Sequence, residues 1–481
     1  MRRFIHSLCR RSMPFALLLS FSAGAFAADE VTESTLEFGR FGKIALYGPA
    51  AEPERVVLFI SGDGGWNLGV VDMARELAGL DALVVGVDIR HYLKSLAASP
   101  DNCANAAVDF EALGQFVQKK LGYRQFHRPL LVGYSSGATL VYATLAQAPP
   151  GTFSGAVSLG FCPDLLLHKA MCKGAGLNFN SDPKLGQIFA PASHLAEPWV
   201  VLHGDQDQVC SLQSAGDFVG KVPGGSLVSL PKVGHGFSAP RNWLPQFKQA
   251  FRHIEQAAPK ATAAFPGKAA IDELPLREVA GQPGDTLAIL LSGDGGWAGL
   301  DKELAAALAA RGITVIGWDS LRYYWTARTP DAAANDLARI ITHYRSALKR
   351  NKIILLGYSF GAEVLPFLVR RLPTELKTQI EKVVLLGPGT HAHFEFKLTD
   401  WLGGTDAGLD IKSELARLAD LSVLCVHGAE ERDSLCPKLE PGMGKSIALP
   451  GGHHFAGDYL GLANLITESA APPVYPVRNR P

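Results

Sequence analysis

The hexapeptide SGDGGW occurs twice, at Ser61 to Trp66 and at Ser292 to Trp297, and a GYSxG pentapeptide follows each copy, at Gly133 to Gly137 and at Gly357 to Gly361. In the second pentapeptide an apolar run ends at Leu356, passes through Gly357-Tyr358-Ser359-Phe360-Gly361 and enters the helical pattern Ala362 to Arg370. That context makes GxSxG a nucleophile elbow: a sharp turn flanked by glycines holds the serine hydroxyl above a sheet, at the N-terminus of a helix. Ser359 is the candidate nucleophile of the second copy and Ser135 that of the first.

A serine hydroxyl attacks an acyl carbon at neutral pH only when an imidazole takes its proton and a carboxylate orients the imidazole. On such an elbow the chain order is Ser, acid, His, with the acid just past a late strand. The apolar runs Trp199 to Leu202 and Ser422 to Val426 are followed by HGDQD (His203 to Asp207) and HGAEERD (His427 to Asp433). Matching the distal acids to the cysteine downstream, in QVC and SLC, selects Asp207 and Asp433, with Glu430 and Glu431 as alternatives in the longer second loop. The histidine after glycine in LPKVGHGF and LPGGHHF gives His235 and His453 as bases, with His454 the rival of His453.

Acyl transfer also needs N–H donors for the developing oxyanion. The backbone amides of Ser136 and Phe360, next to the serines, supply one each, and those of Asp63 and Asp294, in the SGDGGW loop after an early strand, supply the other. An acidic side chain at that place is electrostatically awkward for a neutral ester. It suits an acyl group carrying an ammonium, as in an aminoacyl ester, unless the carboxylate caps its own loop. The aromatic run Tyr323-Tyr324-Trp325 either lines an acyl pocket, rests on a membrane interface or packs in the core, and His391 and His393 read as loop residues.

The motifs keep step along the chain: 231 residues separate Ser61 from Ser292 and 224 separate Ser135 from Ser359. A duplicated domain follows. Short apolar runs of buried-strand type recur in both halves, at Val56 to Ile60, Ala82 to Val87, Pro129 to Val132, Gly155 to Leu159 and Trp199 to Leu202, then at Thr286 to Leu291, Ile313 to Trp318, Lys352 to Leu356, Lys382 to Leu386 and Ser422 to Val426. Helical patterns such as Leu300 to Ala310 separate them. The fold class is therefore α/β: two tandem α/β-hydrolase-like domains, each a mostly parallel sheet with helices on both faces. The first is expected over residues 28–256 and the second over 271–470, joined by an Ala/Pro-rich linker at 257–270 and followed by a proline-rich tail at 471–481.

Residues 1–27 carry four arginines, an apolar stretch from Phe15 to Phe21 and a small-x-small site at Ala25-Phe26-Ala27, which reads as a cleaved signal peptide. No later segment has the length and apolarity of a transmembrane helix. The 46 basic and 46 acidic residues cancel, so no net field recruits nucleic acid. Six cysteines remain after the signal, an even number that favours disulfides in an exported chain. Cys425 and Cys436 are the only pair in the second copy; Cys103, Cys162, Cys172 and Cys210 leave three pairings open, of which Cys162 with Cys172 closes the shortest loop. No CxxC spacing occurs, so no metal set is offered, and the chemistry requires no organic cofactor.

At SGDGGW, GYSFG and the CxHG and GGHHF segments the second copy, from about Leu274 to Ala470, resembles the VirJ/AcvB family of exported bacterial virulence-associated α/β-hydrolases, and the two-copy layout resembles its longer members. The resemblance implies a periplasmic enzyme that removes the amino acid from aminoacyl-phosphatidylglycerol, such as the lysyl or alanyl lipid. It places the nucleophile on Ser359 and the base on His453. It also implies a substrate at the membrane surface and, as the non-enzymatic alternative, a partner of type IV secretion proteins; another carboxylesterase or lipase is the remaining alternative.

Overall fold

The computed structural model describes residues 31–49, 51–101, 103–174, 176–257, 271, 274–397 and 408–468. The expected signal peptide and tail, and nearly all of the expected linker, lie outside the described residues.

Successive strand residues point to opposite faces, so a run that is apolar throughout must be covered on both sides. In the first copy Val56, Leu58 and Ile60 enter one core while Val57 and Phe59 enter the other. In the second, Leu287, Ile289 and Leu291 face one core and Ala288 and Leu290 the opposite one. Burying each such aliphatic side chain stabilises the fold by about 1.5–3 kcal/mol.

The first copy contains β1 (Thr32–Phe38), β2 (Gly42–Gly48), β3 (Arg55–Ile60), β4 (Ala82–Val87), β5 (Leu130–Tyr134), β6 (Gly155–Leu159), β7 (Asp164–Leu165), β8 (Asn178–Asp182), β9 (Gly186–Ala190), β10 (Trp199–Gly204) and β11 (Gly225–Leu230). Its main sheet runs β1-β2-β4-β3-β5-β6-β10-β11, antiparallel at β1, β2 and β4 and parallel from there on, and β7, β9 and β8 form a small separate sheet. The second copy contains β12 (Leu276–Val279), β13 (Thr286–Leu291), β14 (Thr314–Trp318), β15 (Lys352–Tyr358), β16 (Ile380–Leu386), β17 (His391–Ala392), β18 (Leu409–Asp410), β19 (Val423–Gly428) and β20 (Lys445–Leu449). Its sheet, β12-β14-β13-β15-β16-β19-β20, repeats the first without the outermost antiparallel strand. The order reverses beside β3 and β13, and at such a point the loops at the carboxyl ends of neighbouring strands part and leave a crevice. Both elbows sit at that end of the sheet.

The two copies are docked. Trp325, buried at 1% exposure, donates its indole N–H to the Tyr123 carbonyl at 2.6 Å, and Phe126 packs 5.5 Å from its ring. Lys119 Nζ donates to the Trp325 carbonyl at 2.5 Å and pairs with Glu395 at 3.1 Å. Tyr323 and Tyr324 are buried as well. The aromatic run is therefore core and interface, which removes the membrane-interface reading.

Among the described residues three disulfides are present: Cys103–Cys172, Cys162–Cys210 and Cys425–Cys436. The short Cys162–Cys172 loop is not used. Cys162 lies just after β6 and Cys210 just after the loop that follows β10, so their bridge joins neighbouring strand ends. Among the described residues no helix is long and apolar enough to cross a membrane.

Trp325 fills the contact between the copies, so Trp325→Ala should cost about 3–5 kcal/mol by analogy with other buried aromatics. Calorimetry should then show one cooperative transition split into two; an unmoved single transition would show that the copies are not coupled through this side chain.

Candidate active sites

Ser135 and Ser359 each stand between a strand end and the first residue of a helix, Ser136–Gln147 and Phe360–Arg371. Their backbone angles are φ 55°, ψ −123° and φ 50°, ψ −120°. Non-glycine residues held in such sparsely populated regions cost about 1–3 kcal/mol, so the surroundings must enforce them. Here the serine N–H bonds the next strand, Ser135 to the Leu159 carbonyl at 2.9 Å and Ser359 to the Leu386 carbonyl at 2.8 Å. The glycines of the pentapeptide admit the helix to the sheet. A Cβ on Gly357 would lie 2.4 Å from the Gly361 oxygen, and one on Gly361 would lie 2.3 Å from the Leu291 oxygen.

The SGDGGW loops are fastened at both ends. The buried hydroxyls of Ser61 and Ser292 accept from the amides of Ile89 at 3.1 Å and Ser320 at 2.9 Å. Trp66 and Trp297 lie flush against Gly86 and Gly317 in β4 and β14, where any side chain would collide with the indole. Between these anchors Gly62 and Gly293 come against the elbows: a Cβ would stand 2.9 Å from Ser135 Cβ at the first and 3.4 Å from Ser359 Cβ at the second. Among the described residues the amides of Asp63, Ser136, Asp294 and Phe360 donate to no protein acceptor, as donors reserved for a ligand must.

The first copy forms a closed relay. Ser135 Oγ lies 2.9 Å from His235 Nε2, and His235 Nδ1 lies 2.8 Å from Asp207 Oδ2. The other Asp207 oxygen accepts from the amides of Val209 at 2.9 Å and Cys210 at 3.1 Å. Burial pushes the Asp207 carboxyl up, but the His235 hydrogen bond and these amides outweigh it and hold it below the usual carboxylate range.

In the second copy the carboxylate that meets the imidazole is Glu431, not Asp433. His453 Nδ1 hydrogen-bonds Glu431 Oε1, the second Glu431 oxygen accepts from the Gly428 amide at 2.6 Å, and Asp433 is exposed. The acid has to lie at a fixed distance from the strand end. Glu431 is four residues past His427 as Asp207 is four past His203, and the two extra residues of the second loop fall after the acid. Counting from the HG at the strand end, rather than back from the cysteine, would have found it. Its rival His454 instead points Nδ1 at the Tyr358 hydroxyl, 3.2 Å away.

Each imidazole lies against a left-handed glycine at the end of the strand next to the elbow, Gly160 (φ 66°) and Gly387 (φ 58°). A Cβ at Gly387 would stand 2.8 Å from His453 Cε1 and one at Gly160 would stand 3.2 Å from His235 Cε1. Sequence reasoning did not single out either glycine; their common place after β6 and β16, in LGF and LGP, is the signal. Among the described residues no hydrogen bond joins Ser359 Oγ to His453, so the second relay is closed only from imidazole to acid.

The loops also differ. Asp63 Oδ1 accepts from the Ser136 hydroxyl at 2.7 Å, which occupies it. In the second copy Phe360 replaces that serine, and the exposed Asp294 carboxylate makes no hydrogen bond among the described residues. Phe360 instead stacks on Phe396 at 4.4 Å and packs against Tyr324 at 5.2 Å. The first copy supports the outer side of the second loop: Gln115 Nε2 donates to the Asp294 carbonyl at 3.4 Å, and Glu111 presents a carboxylate oxygen 2.9 Å from where a Gly295 Cβ would be. His391 is exposed beside Thr390, and among the described residues no group of three or more His, Cys, Asp or Glu side chains could hold a metal ion.

Sheet order and elbow together define a tandem α/β-hydrolase fold, with Ser135, His235 and Asp207 joined in the first copy and His453 joined to Glu431 in the second. The model of the bacterial virulence protein VirJ matches residues 54–158 and 285–472, more than half of the chain, and the chain belongs to this family. Comparison with curated proteins gives no match. Among solved structures the chain is similar to the esterase domain of a Rhodothermus marinus protein, with 18% identity and a TM-score of 0.32 over 46% of this chain and 97% of that one. A Xanthomonas campestris α/β serine hydrolase without a lid matches with 21% identity and a TM-score of 0.32 over 49% of this chain and 97% of that one.

Two outcomes follow. In a Ser135→Ala background, Glu431→Gln should lower kcat for hydrolysis by about 10²–10⁴-fold, while Asp433→Asn stays within about twofold; a loss confined to Asp433→Asn in pre-steady-state assays would return the acid to Asp433. Glu111 is pushed up to about 8 by burial and then by the Asp294 charge. A carboxyl raised in the folded state contributes stability that is full below its unfolded value of 4.5 and is lost as pH rises through about 8. The stability advantage of the parent over Glu111→Gln should therefore shrink across that window in denaturation curves, and an advantage independent of pH would remove the assignment.

Proposed function

We propose that the protein is an exported serine ester hydrolase whose C-terminal site removes the amino acid from aminoacyl-phosphatidylglycerol, lysyl or alanyl, in the periplasm. Membership of the VirJ family and three disulfides, which persist in oxidising compartments, support the export and the compartment. The observation that carries the substrate class is the Asp294 carboxylate, which makes no hydrogen bond among the described residues, in the loop whose Gly293 lies against Ser359 and at the place where the first copy occupies its aspartate with Ser136. An aminoacyl ester brings an ammonium within a few atoms of its carbonyl, and a free carboxylate at the rim of the oxyanion loop is its natural counter-charge.

In this reading Ser359 Oγ adds to the aminoacyl carbonyl as its proton passes to His453 Nε2. Glu431 keeps Nδ1 protonated and stabilises the imidazolium, and the amides of Phe360 and Asp294 receive the oxyanion. Collapse breaks the bond to the glycerol oxygen, which takes the proton from His453 and leaves as phosphatidylglycerol. Water, deprotonated by the same imidazole, then releases the free amino acid and restores Ser359. No metal or organic cofactor enters. Contact with type IV secretion proteins stays a separate, non-enzymatic proposal.

The closed Ser135–His235–Asp207 relay favours a second reading for the first copy, an esterase for a different ester, since its Asp63 is already engaged. Free amino acid released from lysyl- and alanyl-phosphatidylglycerol by the purified protein tests both readings. Ser359→Ala should abolish release and Ser135→Ala leave it. Asp294→Asn should cut kcat/KM for aminoacyl esters by about 10–100-fold, the worth of one charge-assisted contact, with little change for a neutral ester. Equal rates on neutral and aminoacyl esters, or release lost only with Ser135→Ala, would defeat the proposal.

A further inference from the structure

The docked copies line a partly open cavity of about 230 Å³ that neither elbow uses, and its wall includes Gly295, Gly296 and Trp297 of the second SGDGGW loop. Arg128 reaches it from the first copy, and Arg277, Lys302 and Arg322 reach it from the second; Glu111 and Asp319 are its acidic members. We propose that this cavity is a phosphate-binding site built jointly by the two copies.

The argument rests on cations that the protein itself does not satisfy. Arg128 and Lys302 are half-buried and make no hydrogen bond or ion pair among the described residues. Arg277 is half-buried too and donates to the carbonyl of the residue before it, Leu276, at 3.1 Å, and Arg322 stands 3.8 Å from Asp319. Half-buried charges without partners are costly, so their clustering needs a compensating anion. Burial, the largest cause, holds Arg128, Arg277 and Lys302 below their ordinary ranges; the neighbouring positive charges add to it, while Glu197 opposes it at Lys302 and Arg128 and Asp319 opposes it at all three.

The nearby carboxylates are already engaged. Asp319 caps the short helix Ser320–Tyr323 by accepting from the Arg322 amide at 3.2 Å. Glu197, whose charge favours Lys302, accepts from the Gly151 amide at 2.5 Å. Glu111 is pushed up to about 8 and brings little negative charge at neutral pH. A tetrahedral anion presenting oxygens in several directions meets guanidinium and ammonium donors converging from two domains better than a planar carboxylate does.

The duplication supplies an internal control. By the strand register Arg277 stands opposite Gly317 as Ala45 stands opposite Gly86, and the 231-residue offset sets Lys302 against Val71 and Arg322 against His91. Arg277 and Lys302 thus have no cationic counterpart in the first copy, whereas Arg128 stands where the second copy has Lys352 and Arg322 lies by Asp319 as Arg90 lies by Asp88; the four converge where the copies meet. A phospholipid headgroup and a small phosphorylated molecule share the chemistry that this site would bind.

The test takes the full mature chain and measures calorimetric binding and thermal melting with inorganic phosphate, with glycerol phosphate, and with phosphatidylglycerol vesicles against phosphatidylcholine vesicles. One-to-one saturable binding is expected, weakened at least tenfold by Arg128→Gln and by Lys302→Gln but not by Lys120→Gln on the exposed surface. In phosphate-free buffer both cavity variants should melt no lower than the parent, because each relieves repulsion. Binding of the small phosphates assigns a free phosphate ligand, and binding confined to phosphatidylglycerol vesicles assigns a headgroup. Absence of saturable binding with every probe, binding undiminished in both cavity variants, or cavity variants that melt below the parent without phosphate would overturn the proposal.

Discussion

The structure depends on a left-handed serine held between two glycines at the end of the central strand of each sheet. At Ser359 that conformation is unfavourable in isolation, and it persists because the serine amide is tied to β16 and the helix behind it is pressed against β13. The helix can approach so closely only because Gly357 and Gly361 carry no side chain. Everything that positions the chemistry follows from that contact. It requires strands buried on both faces, which is why their sequences are apolar throughout, and it sets the oxyanion loop, the left-handed glycine under the imidazole and the acid loop at the carboxyl ends of adjacent strands.

Much of this was legible in the sequence because buried parallel strands and elbows leave dense local signals. The ten strands read as apolar runs are all present, with ends displaced by a few residues at most. The antiparallel edge strands escaped because β1 is largely exposed and β12 only half-buried, so neither shows a buried run. Ser135, Asp207 and His235 come together as their motifs imply. Asp433 does not meet His453, because a landmark beyond an insertion shifts with the insertion, whereas one measured from the strand end does not. The Cys425–Cys436 bridge is the one the sequence named, but the pairing of the first copy's four cysteines was beyond it for a similar reason. Cys162 and Cys210 are far apart in the chain and meet only because β6 and β10 are neighbours in the sheet.

Duplication has kept the frame and changed what surrounds each elbow. Both copies preserve the serine that ties the SGDGGW loop and the tryptophan that seats it on a glycine. They differ at the residue after the nucleophile. Ser136 binds Asp63, whereas Phe360 turns into an aromatic cluster, and among the described residues the Asp294 carboxylate makes no hydrogen bond. One substitution thus changes which groups meet the carboxylate of the loop, which is how a repeated scaffold can present two different environments at equivalent elbows.

Docking completes the difference. The first SGDGGW loop is braced by its own aspartate through Ser136, and this uses the carboxylate. The second is braced from outside, where Gln115 reaches the Asp294 carbonyl and Glu111 lies against Gly295. Support from the backbone side leaves the Asp294 side chain available, so the first copy does for the second what Ser136 does within its own. The association of the two domains therefore bears on the electrostatics around Asp294 as well as on the stability of the chain, since a C-terminal copy separated from its neighbour would lose the contacts of Gln115 and Glu111 with the second loop.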